Sequence, residues 1–369
     1  MRCRLLFALF ILLAALGVVA HADTPQVGFR KTVTAEGVEV GIWFPAAGTP
    51  ARQRLGLYSH AVVANAAPLP GAHPLIVMSH GTGGSFSGHV DTAVALAKAG
   101  FVVAALTHPG DNWQDNSRAT RIEDRPKALS QLITYMLNEA PERGVINPQR
   151  IGAFGFSAGG FTVLAAAGGR PDFARLIPHC QTHPAYFDCQ MIASHPRPTT
   201  AVPAPAMPAD TRIKALVVAA PALGFTLAEG LKDLRLPVQL WRADADEILP
   251  APDYADAVRQ ALPQSPEFHA VPNAGHFDFL APCVDSIWPR TFAKAGRALI
   301  ARPSTTPLMP RWCASSANLC DKVALAIIEP RKIGGQAFAR RILTGHADKG
   351  AGKVRRPRHR GLVRQDTGI

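Results

Sequence analysis

The chain has 369 residues, of which 47% are hydrophobic and 18% charged, and its formal net charge is +12. This length and balance predict one large buried core and exclude a disordered chain. The positive charge is local, because residues 290–369 carry 17 Lys and Arg against 4 Asp and Glu, whereas residues 1–289 carry 22 against 23. We therefore expect no nucleic-acid partner for the main part of the chain.

The first 22 residues have the order of a secretory signal peptide. Arg2 and Arg4 precede an apolar run from Leu5 to Ala20, and Ala20-His21-Ala22 offers a cleavage site of the small-x-small type. The apolar run is short for a transmembrane span, and no later stretch is long and apolar enough to form one. We expect cleavage after Ala22 and a periplasmic or secreted protein; an uncleaved anchor is the alternative.

The segments that follow predict a fold in which strands and helices alternate. Polar and apolar residues alternate between Val27 and Phe44, as in antiparallel strands with one solvated face. Helix-like stretches cover about residues 90–99, 125–138, 158–167 and 252–261. Short apolar runs predict strands buried on both faces: Leu75–Met78, Phe101–Leu106, Ile151–Phe154, Ala215–Val218 and Val238–Trp241. This order predicts an α/β protein with a mostly parallel central sheet flanked by helices.

Residues 170–212 interrupt the alternation with many prolines, three histidines and two cysteines. We interpret them as a short lid-like insertion; a surface excursion fastened by Cys180 and Cys189 is the alternative. A disulfide between these cysteines fits an exported protein. His179, Cys180 and His183 also lie close together in sequence, but a disulfide and loop packing account for them, so we expect no metal and no other cofactor.

Ser157 is the predicted nucleophile. It lies in Gly155-Phe156-Ser157-Ala158-Gly159, between a buried strand and a helix. A serine hydroxyl is a weak nucleophile, so it needs a sharp turn that presents it beside a base, and glycines on either side let that turn form. The alternative is a glycine-rich turn with a purely structural role.

A second glycine-rich loop, Ser79–Gly84, follows the predicted strand Leu75–Met78. Loops at this place supply backbone N–H groups that bind the negative oxygen of a tetrahedral intermediate. We predict an oxyanion hole from the N–H groups of Thr82 and Ala158, with Gly83 as a further candidate. A phosphate-binding loop is the rival interpretation, but Walker A spacing and a lysine are both missing.

His276 and Asp246 are the predicted base and acid. His276 follows a glycine after the apolar run 268–271, while His80, His89 and His108 are candidates for the pocket lining. Asp246 lies behind the predicted strand Val238–Trp241, with Asp244 in reserve. The chain order serine, acid, histidine is the one that this type of fold uses.

Together these segments resemble the α/β-hydrolase superfamily, and more narrowly its bacterial group similar to dienelactone hydrolases and platelet-activating-factor acetylhydrolases. The likeness covers about residues 25–285 and implies an ester hydrolase. Further matching segments are Trp43–Pro45, Thr107–Asn112, Asp124–Pro126 and Asn273–His276. Two positions depart from the pattern. Dienelactone hydrolases look like cysteine enzymes where this chain has Ser157, and plasma-type acetylhydrolases place the acid after the preceding strand, where Ala219-Ala220-Pro221 has none.

The sequence therefore predicts an exported serine hydrolase that cleaves small carboxylic esters, short-chain or lipid-like, through a Ser–Asp–His triad and an acyl-enzyme. An amidase or acyltransferase on the same triad is one alternative. A non-catalytic binding protein of the same fold is another, and it would be indicated by the loss of a triad member. All three members are present.

The predicted domain boundaries are a signal peptide (1–22), a catalytic domain (23–289) and a basic tail (290–369). The tail reads as disordered or out of frame. Residues 304–313 can be encoded so that the reading frame one base earlier gives Phe-Asp-His-Ala-Ala-Tyr-Ala-Glu-Val-Val, which resembles a helix start. Resequencing the region that encodes residues 284–305 tests a frameshift; an intact frame in independent reads excludes it.

Overall fold

The computed structural model describes residues 25–195 and 207–282. The predicted signal peptide, residues 196–206 of the insertion, and the basic tail with its suspected frameshift lie outside the described residues. Within the described part, no helix combines the length and the apolar character needed to cross a bilayer.

Ten strands form one sheet in the order β10-β9-β8-β7-β5-β6-β2-β1-β4-β3. The six strands from β10 to β6 pair in parallel, and β2 is antiparallel to both of its neighbours. Their bounds are β1 Gln26–Val33, β2 Glu39–Ala46, β3 Ala51–Leu55, β4 Tyr58–Ala64, β5 His73–Ser79, β6 Val102–Leu106, β7 Ile146–Phe156, β8 Ile213–Ala219, β9 Val238–Ala243 and β10 Glu267–Val271.

Helices cover both faces of this sheet. Because successive residues of a strand point to opposite sides, each strand contributes to two cores. On β5, Leu75 and Val77 pack into one core with the helices at 125–138, 158–166 and 255–261, whereas Ile76 and Met78 pack into a second core with the helix at 90–98. The helices are α1 Val90–Lys98, α2 Arg125–Asn138, α3 Ala158–Ala166, α4 Leu176–Thr182, α5 Phe187–Ser194 and α6 Ala255–Ala261. The predicted α/β-hydrolase fold is confirmed.

The sequence analysis missed β3 and β4, which form an antiparallel pair at the edge of the sheet. Most of β3 is exposed, and it carries Arg52, Gln53 and Arg54 in succession. A strand with so little buried surface has no apolar pattern by which it could be recognised. The central strands were predicted in their right places, most of them shorter than the structure has them.

Two short helices, α4 and α5, lie in the insertion that begins at residue 170. Cys180 in α4 and Cys189 in α5 are joined by a disulfide with an S–S distance of 2.01 Å. The predicted pairing is therefore confirmed. The bond joins cysteines only nine residues apart and holds the two helices against one another.

Candidate active site

Ser157 lies on the sharp turn between β7 and α3, with φ of 56° and ψ of −121°. A non-glycine residue in this region is strained, so the surroundings must hold it there. A Cβ atom at Gly155 would lie 2.0 Å from the Gly159 carbonyl oxygen, and one at Gly159 would lie 1.9 Å from the Ser79 carbonyl oxygen. Only glycine fits at these two positions, which explains the pentapeptide around Ser157.

A chain of hydrogen bonds connects Ser157, His276 and Asp246. Ser157 Oγ lies 3.0 Å from His276 Nε2, and His276 Nδ1 lies 2.8 Å from Asp246 Oδ2. Because a carboxylate can only accept, Nδ1 carries the ring proton and Nε2 is free to accept the hydroxyl proton. The structure thus brings together three side chains that are 89 and 30 residues apart in sequence.

The geometry separates Asp246 from the other two acids of its loop. Asp246 Oδ1 accepts hydrogen bonds from the N–H groups of Ile248 and Leu249, at 3.0 and 2.7 Å, which leaves Oδ2 for the histidine. Asp244 pairs instead with Arg242, at 2.8 Å. The Glu247 carboxylate lies 3.4 Å from the backbone nitrogen of His276 and does not reach its ring nitrogens.

His276 is held by the turn that it begins, the 3₁₀ helix His276–Phe279. The Gly275 N–H donates to Asp278 at 2.9 Å, and the His276 ring packs 4.8 Å from the Phe156 ring. The same turn is tied to the N-terminal end of α1, because His89 Nδ1 donates to the Phe279 carbonyl at 3.1 Å. With 2% of its surface exposed, His276 has little freedom to leave Ser157.

Thr82 and Ala158 line the same pocket as Ser157. Within the described residues, neither of their backbone N–H groups donates to a protein acceptor, which leaves both available to a ligand. Gly83 is different. Its N–H already donates to Asp111 Oδ1 at 2.9 Å, so an oxyanion would have to displace this bond, and Thr82 and Ala158 remain the better candidates.

A buried ion pair, to which the sequence analysis gave no role, supports the glycine-rich loop Ser79–Gly84. Arg125 and Asp111 lie 2.8 Å apart and are almost completely buried. Arg125 also donates to the carbonyls of His80 and Gly81, at 2.7 and 3.3 Å, while Asp111 accepts from Gly83. The pair therefore binds backbone carbonyls before Thr82 and a backbone N–H after it, and so holds the loop in place on both sides of Thr82. Both residues lie in segments that match the resembling family, which was the only signal for them.

His80, His89 and His108 do not line the pocket, contrary to the expectation from the sequence. All three are buried, and none of them is among the residues that line the pocket. Ser79 Oγ lies 2.8 Å from His108 Nε2, and the His108 N–H donates to His80 Nε2. Burial lowers the pKa of all three, to about 4 for His89. They are neutral packing groups at neutral pH.

The pocket beside Ser157 has a volume of about 670 Å³ including its open mouth, and most of its lining is apolar. One wall comes from the ends of the strands and the loops behind them. The other comes from the insertion, whose residues 173–192 we call the lid wall. The lid wall contributes Phe173, Leu176, Phe187, Asp188, Met191 and Ile192. The insertion thus forms part of the pocket lining, and its interpretation as a lid stays a prediction.

Comparisons with known proteins agree with this geometry. Residues 86–183 match the model of the prolyl oligopeptidase family. A protein of Nocardia uniformis subsp. tsuyamanensis, named "Putative esterase NocK", is 29% identical over 108 residues, which are 28% of this chain and 31% of that protein. The chain thus matches about a third of the length of this relative. These similarities support a serine hydrolase of the α/β-hydrolase fold, and the dienelactone hydrolase-like group stays a prediction.

Proposed function

We propose that the chain hydrolyses carboxylic esters with Ser157 as the nucleophile. The observation that carries this proposal is the hydrogen-bond chain from Ser157 through His276 to Asp246, which begins at an apolar pocket. The name of the relative from Nocardia adds support for the ester.

The reaction follows from the protons that the site can hold. His276 Nε2 takes the proton of Ser157 as Oγ attacks the ester carbonyl, and Asp246 stabilises the imidazolium that forms. The N–H groups of Thr82 and Ala158 bind the oxyanion. The imidazolium then protonates the departing alcohol. Water, deprotonated by His276, then attacks the acyl-enzyme. As the bond between the acyl carbon and Ser157 Oγ breaks, His276 returns this proton to Oγ, the carboxylic acid leaves, and Ser157 is ready for the next cycle.

The pocket lining favours an apolar acyl or alkyl group over a peptide. Thr82, Thr120, Ser157 and Asp188 are the only lining residues with polar side chains in the described part of the chain. A peptide would bring several N–H and C=O groups into this pocket, and each one left without a partner costs about 1–3 kcal/mol. An acyl chain brings none.

The test compares Ser157→Ala with a matched control, Ser265→Ala, on p-nitrophenyl esters from C2 to C12. We expect Ser157→Ala to lower kcat by at least about 1,000-fold and to abolish labelling by a fluorophosphonate probe. Ser265 is exposed, is not among the residues that line the pocket, and its substitution should leave both unchanged. Wild-type activity in purified Ser157→Ala would exclude Ser157 as the nucleophile.

An amidase or peptidase is the second candidate, because residues 86–183 match the prolyl oligopeptidase family. The same triad can attack an amide, so the substrate decides between the two. A matched pair of an acyl p-nitrophenyl ester and the corresponding p-nitroanilide separates them. A kcat/KM for the anilide equal to or above that for the ester would favour the amidase.

We also propose export through the N-terminal segment. The disulfide Cys180–Cys189 supports it, because such bonds persist in oxidising compartments. Two genes are compared by fractionation of expressing bacteria. The protein from the full-length gene should be found outside the cytoplasm, and the protein from a gene that lacks residues 2–22 should be found inside it. Equal distribution of the two would contradict export.

A further inference from the structure

Two histidines of the insertion approach a carboxylate of the main domain outside the site of Ser157. His179 lies in α4 and His183 directly follows that helix, one turn later. Asp253 lies 70 residues further on, just before α6. One possible ligand atom from each residue lies within 4.8 Å of those from the other two. The sequence had grouped the histidines with Cys180, which the disulfide now removes as a ligand.

The distance between His183 and Asp253 is near that of a metal site and too long for a direct hydrogen bond. His183 Nε2 lies 3.8 Å from Asp253 Oδ2. In a tetrahedral zinc site the nitrogen and oxygen ligands lie about 2.0–2.2 Å from the ion, and therefore about 3.3–3.5 Å from one another. This pair is within about half an ångström of that separation, and the two pairs that include His179, which lie within 4.8 Å, reach it with side-chain shifts of at most about 1.5 Å.

The two rings are already held in place. His179 stacks on Phe225 with 3.7 Å between ring centroids, and His183 stacks on Tyr186 with 4.5 Å. His179 Nε2 also lies 3.3 Å from the Tyr254 hydroxyl, which donates to Asp188. Metal-binding histidines are commonly oriented in this way by a polar group at the other ring nitrogen.

A second group of possible ligands, His179 with Asp188 and Cys189, does not qualify, since the Cys189 sulfur is in the disulfide.

We propose that His179, His183 and Asp253 bind one divalent transition-metal ion, for which Zn²⁺ is the probe. Two imidazole nitrogens and one carboxylate oxygen are ligands that zinc accepts, with water at the fourth position. The ion connects α4 to the loop before α6 and so fastens the insertion to the main domain. Leu176, in the first turn of α4, lines the pocket, and its position then depends on the ion. This inference does not depend on the reaction at Ser157.

The test titrates ZnCl₂ into the full chain after dialysis against EDTA, with calorimetry and thermal unfolding as readouts. His183→Gln and Asp253→Asn each remove one ligand while they keep the shape of the side chain. The control is His269→Gln, since His269 also faces a carboxylate, Glu267 at 2.9 Å, but belongs to no group of three ligands among the described residues. Zinc that binds to histidines outside the described residues, such as His346 and His359, adds the same background to all variants.

We expect both ligand variants to lose one equivalent of zinc, or to bind it at least about 10-fold more weakly, and to lose its effect on the unfolding temperature. The control should bind as the wild type does. Zinc binding that is the same in the wild type and in both ligand variants overturns the proposal, as does the absence of binding by the wild type. If one variant fails to fold, the other decides alone.

Discussion

The two walls of the pocket are built in opposite ways. The wall at the ends of the strands holds Ser157 on a strained turn, keeps His276 at 2% exposure and rests on a buried ion pair. The lid wall carries two short helices, α4 and α5, in which Asp188 and Cys189 are the only buried residues. Ile177 is 70% exposed and Phe187 is 39% exposed.

This difference separates two tasks. Catalysis needs groups that keep their positions while charge develops, and close packing provides that. Substrate selection tolerates movement, because apolar contacts have little directionality. We therefore expect variants of the strand-end wall to change kcat for every substrate, and variants of the lid wall to change KM according to the length of the acyl chain.

The largest effect is expected from Asp246→Asn. An amide cannot stabilise the imidazolium and favours the wrong ring tautomer, so kcat should fall by about 1,000- to 10,000-fold on short and long esters alike. Asp244→Asn is the matched control, because Asp244 pairs with a partly exposed Arg242 and should change kcat less than about twofold. Steady-state kinetics on C2 and C8 esters measures both. A greater loss of kcat in Asp244→Asn than in Asp246→Asn would show that Asp244 is the acid that orients His276.

The sequence predicted Ser157 from its pentapeptide after a buried strand, and Asp246 and His276 from their places behind predicted strands in the order serine, acid, histidine. It could not predict which other residues contact these three or one another. The Gly83 N–H is occupied by Asp111, which lies 28 residues away in the loop after β6. That His179 and His183 meet Asp253 depends on how the insertion folds back. Contacts of this kind arise from tertiary packing and leave no periodic signal in the chain.

Breaking the ion pair below the glycine-rich loop should have the next largest effect. Arg125→Met leaves the Asp111 carboxylate buried without its partner and should lower the free energy of unfolding by about 3–5 kcal/mol. Adding Asp111→Asn removes the uncompensated charge and should recover part of that loss. Urea unfolding measures both variants. The exposed pair Arg170–Asp233 supplies the control, Arg170→Met, with a change below about 1 kcal/mol.

If the double variant recovers the free energy of unfolding but not kcat, the ion pair has a role in positioning the loop that is separate from its role in folding. Full recovery of both would mean that the pair contributes only to stability. The first result agrees with the two-wall comparison, in which the pair orients the Thr82 N–H through the carbonyls that Arg125 binds.

The acid side of the stability profile tests the burial of His89. Burial lowers its pKa to about 4, against about 6.5 in an unfolded chain. Between these pH values the unfolded chain binds a proton that the folded one does not, so the free energy of unfolding falls as the pH falls. The fall amounts to about 3 kcal/mol in total. His89→Gln removes this contribution and should make the fall between about pH 6.5 and 4 smaller than in the wild type, while His80 and His108 keep their own contributions. Parallel profiles of variant and wild type would contradict it.

The smallest effect is expected in the lid wall, from the double variant Cys180→Ser with Cys189→Ser. Closing a loop of this length stabilises a chain by at most about 2–3 kcal/mol, and here the gain applies to two helices that can loosen alone. We expect KM for a C8 ester to rise about 3- to 10-fold, since Leu176 and Met191 lose their fixed positions beside the acyl chain. For a C2 ester, which does not reach them, kcat and KM should change less than about twofold. A proportional loss of kcat on the C2 ester would show that the disulfide also supports the strand-end wall, and the separation of the two walls would then be wrong.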